Sequence, residues 1–189
     1  MARLGLKALP NVITGLRILA VPVVVWLVLV DRMAAAFWVF AAAGISDAID
    51  GWLAKRLNAH TVLGSYLDPL ADKLLLVALY ILLGRSGHIP GWLVVLVLVR
   101  DAALLGVSIL LVRADRSLAM RPLPISKLNT LLQIVLAGFV LARLGFGFPD
   151  LGIGKDILVY GVALTTIVSG VAYLRRMGAG KPRGEGEGA

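Results

Sequence analysis

Apolar residues in this chain neither alternate with polar ones nor keep to a single stripe; they run together in long blocks. Six blocks stand out, at residues 12–30, 34–57, 62–83, 91–112, 125–144 and 155–174. Each is close to the ~20 residues that a helix needs to cross a bilayer. Short polar or turn-forming stretches separate them: Asp31-Arg32, Asn58-Ala59-His60, the segment 84–90, a basic connection around Pro122 and Pro124, and the glycine-rich run GFGFPDLGIG. Pro10 and Asn11 lead into the first block, with Asn11 placed to cap it. Pro69 falls early in the third helix, where the cost is at most a bend. The pattern predicts an all-α integral membrane protein, a bundle of six transmembrane helices without internal repeats. Residues 1–176 are expected to form one membrane domain and residues 177–189, poor in apolar side chains and rich in glycine, a disordered cytoplasmic tail.

Composition sharpens this. Among 189 residues, 59% are hydrophobic and 16% charged, with a mean hydropathy of +0.91. Soluble domains are less apolar and more charged than this. A secretory leader is the competing explanation for the first block, which is too long for one and carries Thr14 and Arg17 near its start. The formal charge of +8 does not point to nucleic acid, because the basic residues gather at the ends of the blocks, where lipid headgroups lie. Six crossings put both termini on one side. That side carries Arg3, Lys7, Lys55, Arg56, Arg113, Arg116, Arg121, Lys127, Arg175, Arg176, Lys181 and Arg183, against Arg32, Arg85, Arg143 and Lys155 on the other. The excess of positive charge predicts cytoplasmic termini. The chain has no cysteine and two histidines, so thiolate and histidine-rich metal centres are excluded.

The chemistry concentrates in residues 46–73, SDAIDGWLAKRLNAHTVLGSYLDPLADK. Asp47 and Asp50 are three apart, and Asp68 and Asp72 four apart, so each pair shares one helix face. The short link between the second and third helices makes them antiparallel neighbours, so the two pairs fall at one depth. Four carboxylates cannot stay ionised in so apolar a setting without cations. Two divalent ions would balance them, and all-oxygen ligation favours Mg²⁺ or Mn²⁺. Such a pair suits phosphoryl transfer. Gly51 and Gly64 permit close backbone approach, whether by a neighbouring helix or by a ligand. Other readings stay open at this point. Lys73, Lys55 or Arg56 could neutralise an aspartate, and a proton- or cation-coupled carrier would also place acids within the membrane.

The pattern Asp47-x-x-Asp50-Gly51-x-x-Ala54, then Gly64-x-x-x-Asp68-x-x-x-Asp72, closely resembles the signature of the CDP-alcohol phosphatidyltransferases. One position departs from it: Lys55 stands where that family usually has arginine, with Arg56 next. Lysine lacks the bidentate fork of arginine, so the phosphate contact is shared between the two candidates. The resemblance implies a six-helix enzyme, commonly a homodimer, that moves a phosphatidyl group from CDP-diacylglycerol to an alcohol and releases CMP. It implies Asp47, Asp50, Asp68 and Asp72 as ligands of two Mg²⁺ or Mn²⁺ ions, with Asp72 also the general base. It implies Asp50, Gly51, Ala54, Lys55, Arg56, Gly64 and Ser65 as the nucleotide site.

The acceptor is read from other segments. Pro10-Asn11 with Thr14 and Arg17 resembles the first helix shared by phosphatidylglycerophosphate synthases and CDP-diacylglycerol-dependent cardiolipin synthases. Val99-Arg100-Asp101 and Ile125-Ser126-Lys127-Leu128-Asn129-Thr130 look more like the cardiolipin synthases, whose acceptor is phosphatidylglycerol. Asn11, Thr14, Arg17, Arg100, Arg121 and Lys127 are the candidate contacts to acceptor or phosphate. Arg100 and Asp101, as adjacent helical residues, are expected to face different ways. The expected location is a bacterial inner membrane, since no transit peptide precedes the first block.

Overall fold

A computed structural model describes the backbone of residues 18–57, 62–113, 124–149 and 152–179, and the side chains within those ranges except 47–57, 62–72, 107–113 and 176–179. Among the described residues there are six helices and no strand: α1 Ile18–Leu29, α2 Met33–Leu57, α3 Val62–Arg85, α4 Gly91–Arg113, α5 Pro124–Phe146 and α6 Gly152–Ala179. The predicted start of the first helix lies outside the described residues; the other bounds fall within a few residues of those predicted, apart from two differences in α6. It starts inside the glycine-rich run, at Gly152, and it continues past Leu174 to Ala179. Helix α3 continues through Pro69, its eighth residue, where the ring has no N–H to offer the Ser65 carbonyl and a bend is the cost.

Local chemistry sets the helix ends. At the end of α1, the Arg32 N–H donates to the Leu27 carbonyl at 2.8 Å and the Asp31 N–H to that of Val28 at 3.2 Å. Asp31 takes the left-handed conformation, φ 58°, that closes such a cap. The end of α3 repeats the device with Gly87 at φ 75° and the His88 N–H on the Leu83 carbonyl at 2.9 Å. In both cases the carbonyls left open by the last turn are satisfied before the chain reverses.

Helix α5 is the centre of the bundle, packed against α2, α3 and α6, while α4 lies against α3 and α6. Specific contacts fix the register. Gly145 of α5 meets Ala34 of α2, and Gly138 meets Phe40, so these two helices run antiparallel. At Gly145 the approach is so close that a Cβ would lie 2.5 Å from the Ala34 Cα. Helices α5 and α6 are also antiparallel, with Gly161 beside Leu132 and Thr165 bonded to Asn129. Tyr80 of α3 donates to the Gln133 carbonyl of α5 at 3.3 Å, two turns beyond the level of Lys73 and Ser126, which makes α3 and α5 parallel.

The exterior is as apolar as the interior. Ile153, Ile157, Leu164 and Leu174 of α6 line up at helical spacing and point away from the bundle, with Ile153 80% and Leu174 68% exposed. The polar Thr165, Thr166 and Ser169 of the same helix are buried. An outward apolar stripe over an inward polar one inverts the soluble pattern and suits lipid as the surrounding solvent. Within the described residues α5 and the Gly152–Arg175 part of α6 have the length and hydropathy to cross a membrane, and Ile18–Leu29 and Met33–Ser46 are shorter apolar helices.

The interior is divided. Toward the α3–α4 turn it is dry, built from Val24, Val28, Leu79, Leu83, Ile89, Leu93 and Leu141. Toward the other end the buried residues turn polar: Arg100, Asp101, Asn129, Gln133, Thr165, Thr166 and Ser169. That polar half is where α2 ends and α3 begins.

Candidate active site

Burying a charge inside a membrane bundle is costly unless it is paired and hydrogen-bonded. Arg100, 7% exposed, meets that demand with all three guanidinium nitrogens. Its Nε donates to Ser169 Oγ of α6 at 2.9 Å, Nη1 to Asp101 Oδ1 at 2.7 Å, and Nη2 to Ser126 Oγ of α5 at 2.6 Å. One residue of α4 thus ties three helices together. The expectation that Arg100 and Asp101 face different ways is corrected here. Their Cα–Cβ directions do diverge on the helix, but the long arginine arm wraps back to bring its charge onto the neighbouring carboxylate.

Lys73 of α3 completes the group, its Nζ 3.6 Å from the same Asp101 Oδ1. Two cations therefore converge on one buried carboxylate. Below this group Asn129 Oδ1 accepts from Thr165 Oγ1 at 2.8 Å and from Thr166 Oγ1 at 2.9 Å. The amide nitrogens of Asn129 and Gln133, one turn apart on α5, are buried and have no hydrogen-bond partner among the described residues. Unpaired buried amides are rare, and a neighbouring ligand or water is the ordinary explanation. On the outer face of α4 and α6, an apolar groove of about 290 Å³ runs from Leu96 to Leu174 with Arg100 in its wall.

The aspartate stretch adjoins this group. Asp47, Asp50, Gly51, Ala54, Lys55 and Arg56 lie on α2, and Gly64, Ser65, Asp68 and Asp72 lie on α3, all within continuous helix. The expected helices are there at both pairs; the four carboxylate side chains lie outside the described residues. Carried on along α2, the antiparallel register with α5 brings the turn at Asp50 level with Asn129. Asp72 immediately precedes Lys73, at the level of Ser126. Of the remaining candidates, Arg100 is at the heart of the polar group, and Lys127 lies on the first turn of α5 with its side chain exposed. Asn11, Thr14, Arg17 and Arg121 lie outside the described residues. No group of three or more metal-ligating side chains occurs among the described residues.

The CDP-alcohol phosphatidyltransferase family model matches residues 7–169, which takes in α1 to α5 and the greater part of α6. The chain belongs to the CDP-alcohol phosphatidyltransferase family. Its relatives carry two different names. It is 36% identical to the rat cardiolipin synthase (CMP-forming) over 182 residues, 87% of this chain and 60% of the rat protein. It is 34% identical to a chloroplastic CDP-diacylglycerol–glycerol-3-phosphate 3-phosphatidyltransferase of rice, over 87% of this chain and 55% of that protein. The corresponding transferase of Rickettsia typhi is 31% identical, over 90% of this chain and 97% of that protein. The chain therefore spans somewhat more than half the length of the rat and rice proteins and nearly all of the Rickettsia one.

Sequence reasoning had Arg100, Asp101, Ser126 and Asn129 in view, though not Asp101 as the partner of Arg100, and missed Gln133, Tyr80, Thr165, Thr166 and Ser169 as members of one polar group. Thr165, Thr166 and Ser169 are weakly polar residues in an apolar helix, and nothing in their spacing marks them as partners of residues 36 to 69 positions away. Asp101 carried a signal, since an acid in mid-span needs a cation.

Proposed function

We propose that the chain transfers a phosphatidyl group from CDP-diacylglycerol to phosphatidylglycerol, giving cardiolipin and CMP. The observation that carries the proposal is the Asp47/Asp50 and Asp68/Asp72 pattern, held on two continuous helices beside a buried polar group in a chain of this family. The donor set fits two divalent cations: four hard carboxylates, no thiolate, and pairs on single helix faces. Asp47, Asp50, Asp68 and Asp72 would hold the ions. When bound, Mg²⁺ or Mn²⁺ would supply charge neutralisation for the pyrophosphate and for the departing CMP.

The chain's own groups do the rest. Gly51 and Gly64, lacking Cβ, let the cytidine nucleotide lie close to α2 and α3, with Ala54 and Ser65 beside it. Lys55 and Arg56 meet its phosphates. Asp72 accepts the proton of the acceptor hydroxyl as that oxygen attacks phosphorus. Apolar surroundings keep water, the competing nucleophile, away.

Two observations favour a lipid acceptor with a glycerol headgroup. Among the described residues, the buried Arg100 and the half-buried Lys73 are both engaged by Asp101, which leaves neutral amides, those of Asn129 and Gln133, free to meet a ligand. Neutral donors suit hydroxyls and a phosphodiester better than the dianion of glycerol 3-phosphate. The lateral groove beside Arg100 also offers an acyl chain a seat. A second reading, phosphatidylglycerophosphate synthesis, is favoured by the Rickettsia relative, which this chain matches over nearly its whole length. Both readings use the same donor and base. The enzyme is proposed to act as a homodimer in a bacterial inner membrane, with both termini cytoplasmic.

Purified protein in detergent, given CDP-diacylglycerol and Mg²⁺, is expected to release CMP with phosphatidylglycerol and not with glycerol 3-phosphate. Release with glycerol 3-phosphate alone would establish the second reading instead. No release with any alcohol, together with ion flux in liposomes, would replace both with a carrier.

A further inference from the structure

Lys73 directly follows Asp72, on the helix that also carries Asp68. An ammonium on a flexible four-carbon stem, one residue from a carboxylate pair in the polar half of a membrane bundle, is the obvious competitor for the metal ions those carboxylates would hold. In the structure its Nζ reaches α4, 3.6 Å from Asp101 Oδ1. Asp101 is itself pinned, because Arg100 holds the same oxygen at 2.7 Å and is anchored to Ser169 and Ser126 at 2.9 and 2.6 Å. Arg100 alone already balances the charge of Asp101. The second cation on that carboxylate is surplus to neutralising it, which leaves a role for Lys73's placement that concerns Lys73 itself.

Resting on the metal-dependent reading above, we propose that Asp101 is a positioning residue: it draws the Lys73 ammonium onto α4 and so keeps it from pairing with Asp68 and Asp72. The Arg100 strut makes this possible by fixing Asp101 from two further helices, so that Lys73 comes to Asp101 and not the reverse. The four aspartates are then left to divalent ions. Without the strut and its carboxylate, the lysine becomes an internal cation at the site, bound at high effective concentration because it is tethered one residue away.

The test is direct binding of Mn²⁺, followed by electron paramagnetic resonance of the free ion, to wild-type protein, Asp101→Asn, Lys73→Met and the double variant in detergent without substrate. Wild-type protein should bind Mn²⁺; failure here would overturn the metal reading itself. Asp101→Asn should bind about tenfold or more weakly, the size expected when a tethered charge competes at a buried site. Lys73→Met should stay within about twofold of wild type, because the ammonium is already drawn off, and the double variant should return to that value. A merely structural role for Asp101 would not be rescued by removing Lys73. Wild-type affinity in folded Asp101→Asn, or no recovery in the double variant, would overturn the proposal. If Asp101→Asn fails to fold because Arg100 loses its counter-charge, Lys73→Met decides alone: a several-fold tightening of Mn²⁺ binding would mean that Lys73 competes in the wild type and the proposal is wrong, and an unchanged affinity upholds it.

Discussion

An alcohol hydroxyl attacks phosphorus slowly until a neighbouring group takes its proton, and Asp72 stands on α3 where the polar half of the bundle begins. Asparagine at this position keeps the shape and loses the basicity. Asp72→Asn is therefore expected to lower turnover by about 10²–10⁴-fold, the span of a lost general base, while CDP-diacylglycerol still binds. Turnover measured as CMP release, alongside nucleotide binding by calorimetry, checks this, and an active variant would remove Asp72 from the role. Side chains differ in how openly the sequence announces them. Four aspartates in an apolar chain are conspicuous because the membrane makes each one costly. Thr165, Thr166 and Ser169 are not, because a hydroxyl can satisfy itself on its own helix, as Thr165 does on the Gly161 carbonyl at 2.8 Å and Ser169 on that of Thr166 at 3.1 Å. Their second role, toward Asn129 and Arg100, exists only once the helices are packed.

Without an aqueous driving force between helices in lipid, association rests on close packing and on interhelical hydrogen bonds. The contact between α2 and α5 illustrates the first. Gly145 lies against the backbone of Met33 and Ala34, and backbone cannot step aside. Gly145→Ala is expected to cost about 1–3 kcal/mol, as overpacking does elsewhere. Gly138→Ala, on the same pair of helices, is the control: its Cβ would sit 3.7 Å from the Phe40 ring, an ordinary contact, so its stability should be unchanged. Thermal unfolding of both variants in detergent tests the pair. The helices themselves were nearly all legible from the run of apolar residues, since their length is set by the bilayer and their ends by turn residues. The close approach at Gly145 was not legible, because Gly145 opens a glycine-rich run that reads as loop and instead completes the last turn of α5. The start of α6 at Gly152 escaped for the same reason.

The bundle as a whole has a dry half and a polar half, and this division gives it a direction. Aromatic side chains gather at the dry end, where Phe37 and Trp38 of α2 stack edge-on with Phe146 of α5 at 5.5 and 6.2 Å and Trp92 of α4 meets Tyr160 of α6 at 6.4 Å. Such rings favour the boundary between lipid and water. The basic residues of the loops collect at the opposite end, and the proposed cytoplasmic orientation of the termini rests on them. Reporter fusions should accordingly be active at both termini only for a reporter that requires the cytoplasm, and a periplasm-dependent reporter placed at residues 86–89 should be active. Activity of a periplasmic reporter at the C-terminus would overturn the orientation.

Length and hydropathy of the apolar runs settled the class of fold, because lipid leaves a chain with few ways to satisfy its backbone. The aspartate spacing pointed to the family that the family model bears out, because carboxylates three and four apart on a helix make a pattern that does not depend on where that helix lies. Packing alone decided how the remaining charges are spent. From the sequence Lys73 was a possible partner for the aspartates and Arg100 a possible contact for the acceptor. The assembled helices turn both toward Asp101, since a buried charge takes the nearest partner that three dimensions allow.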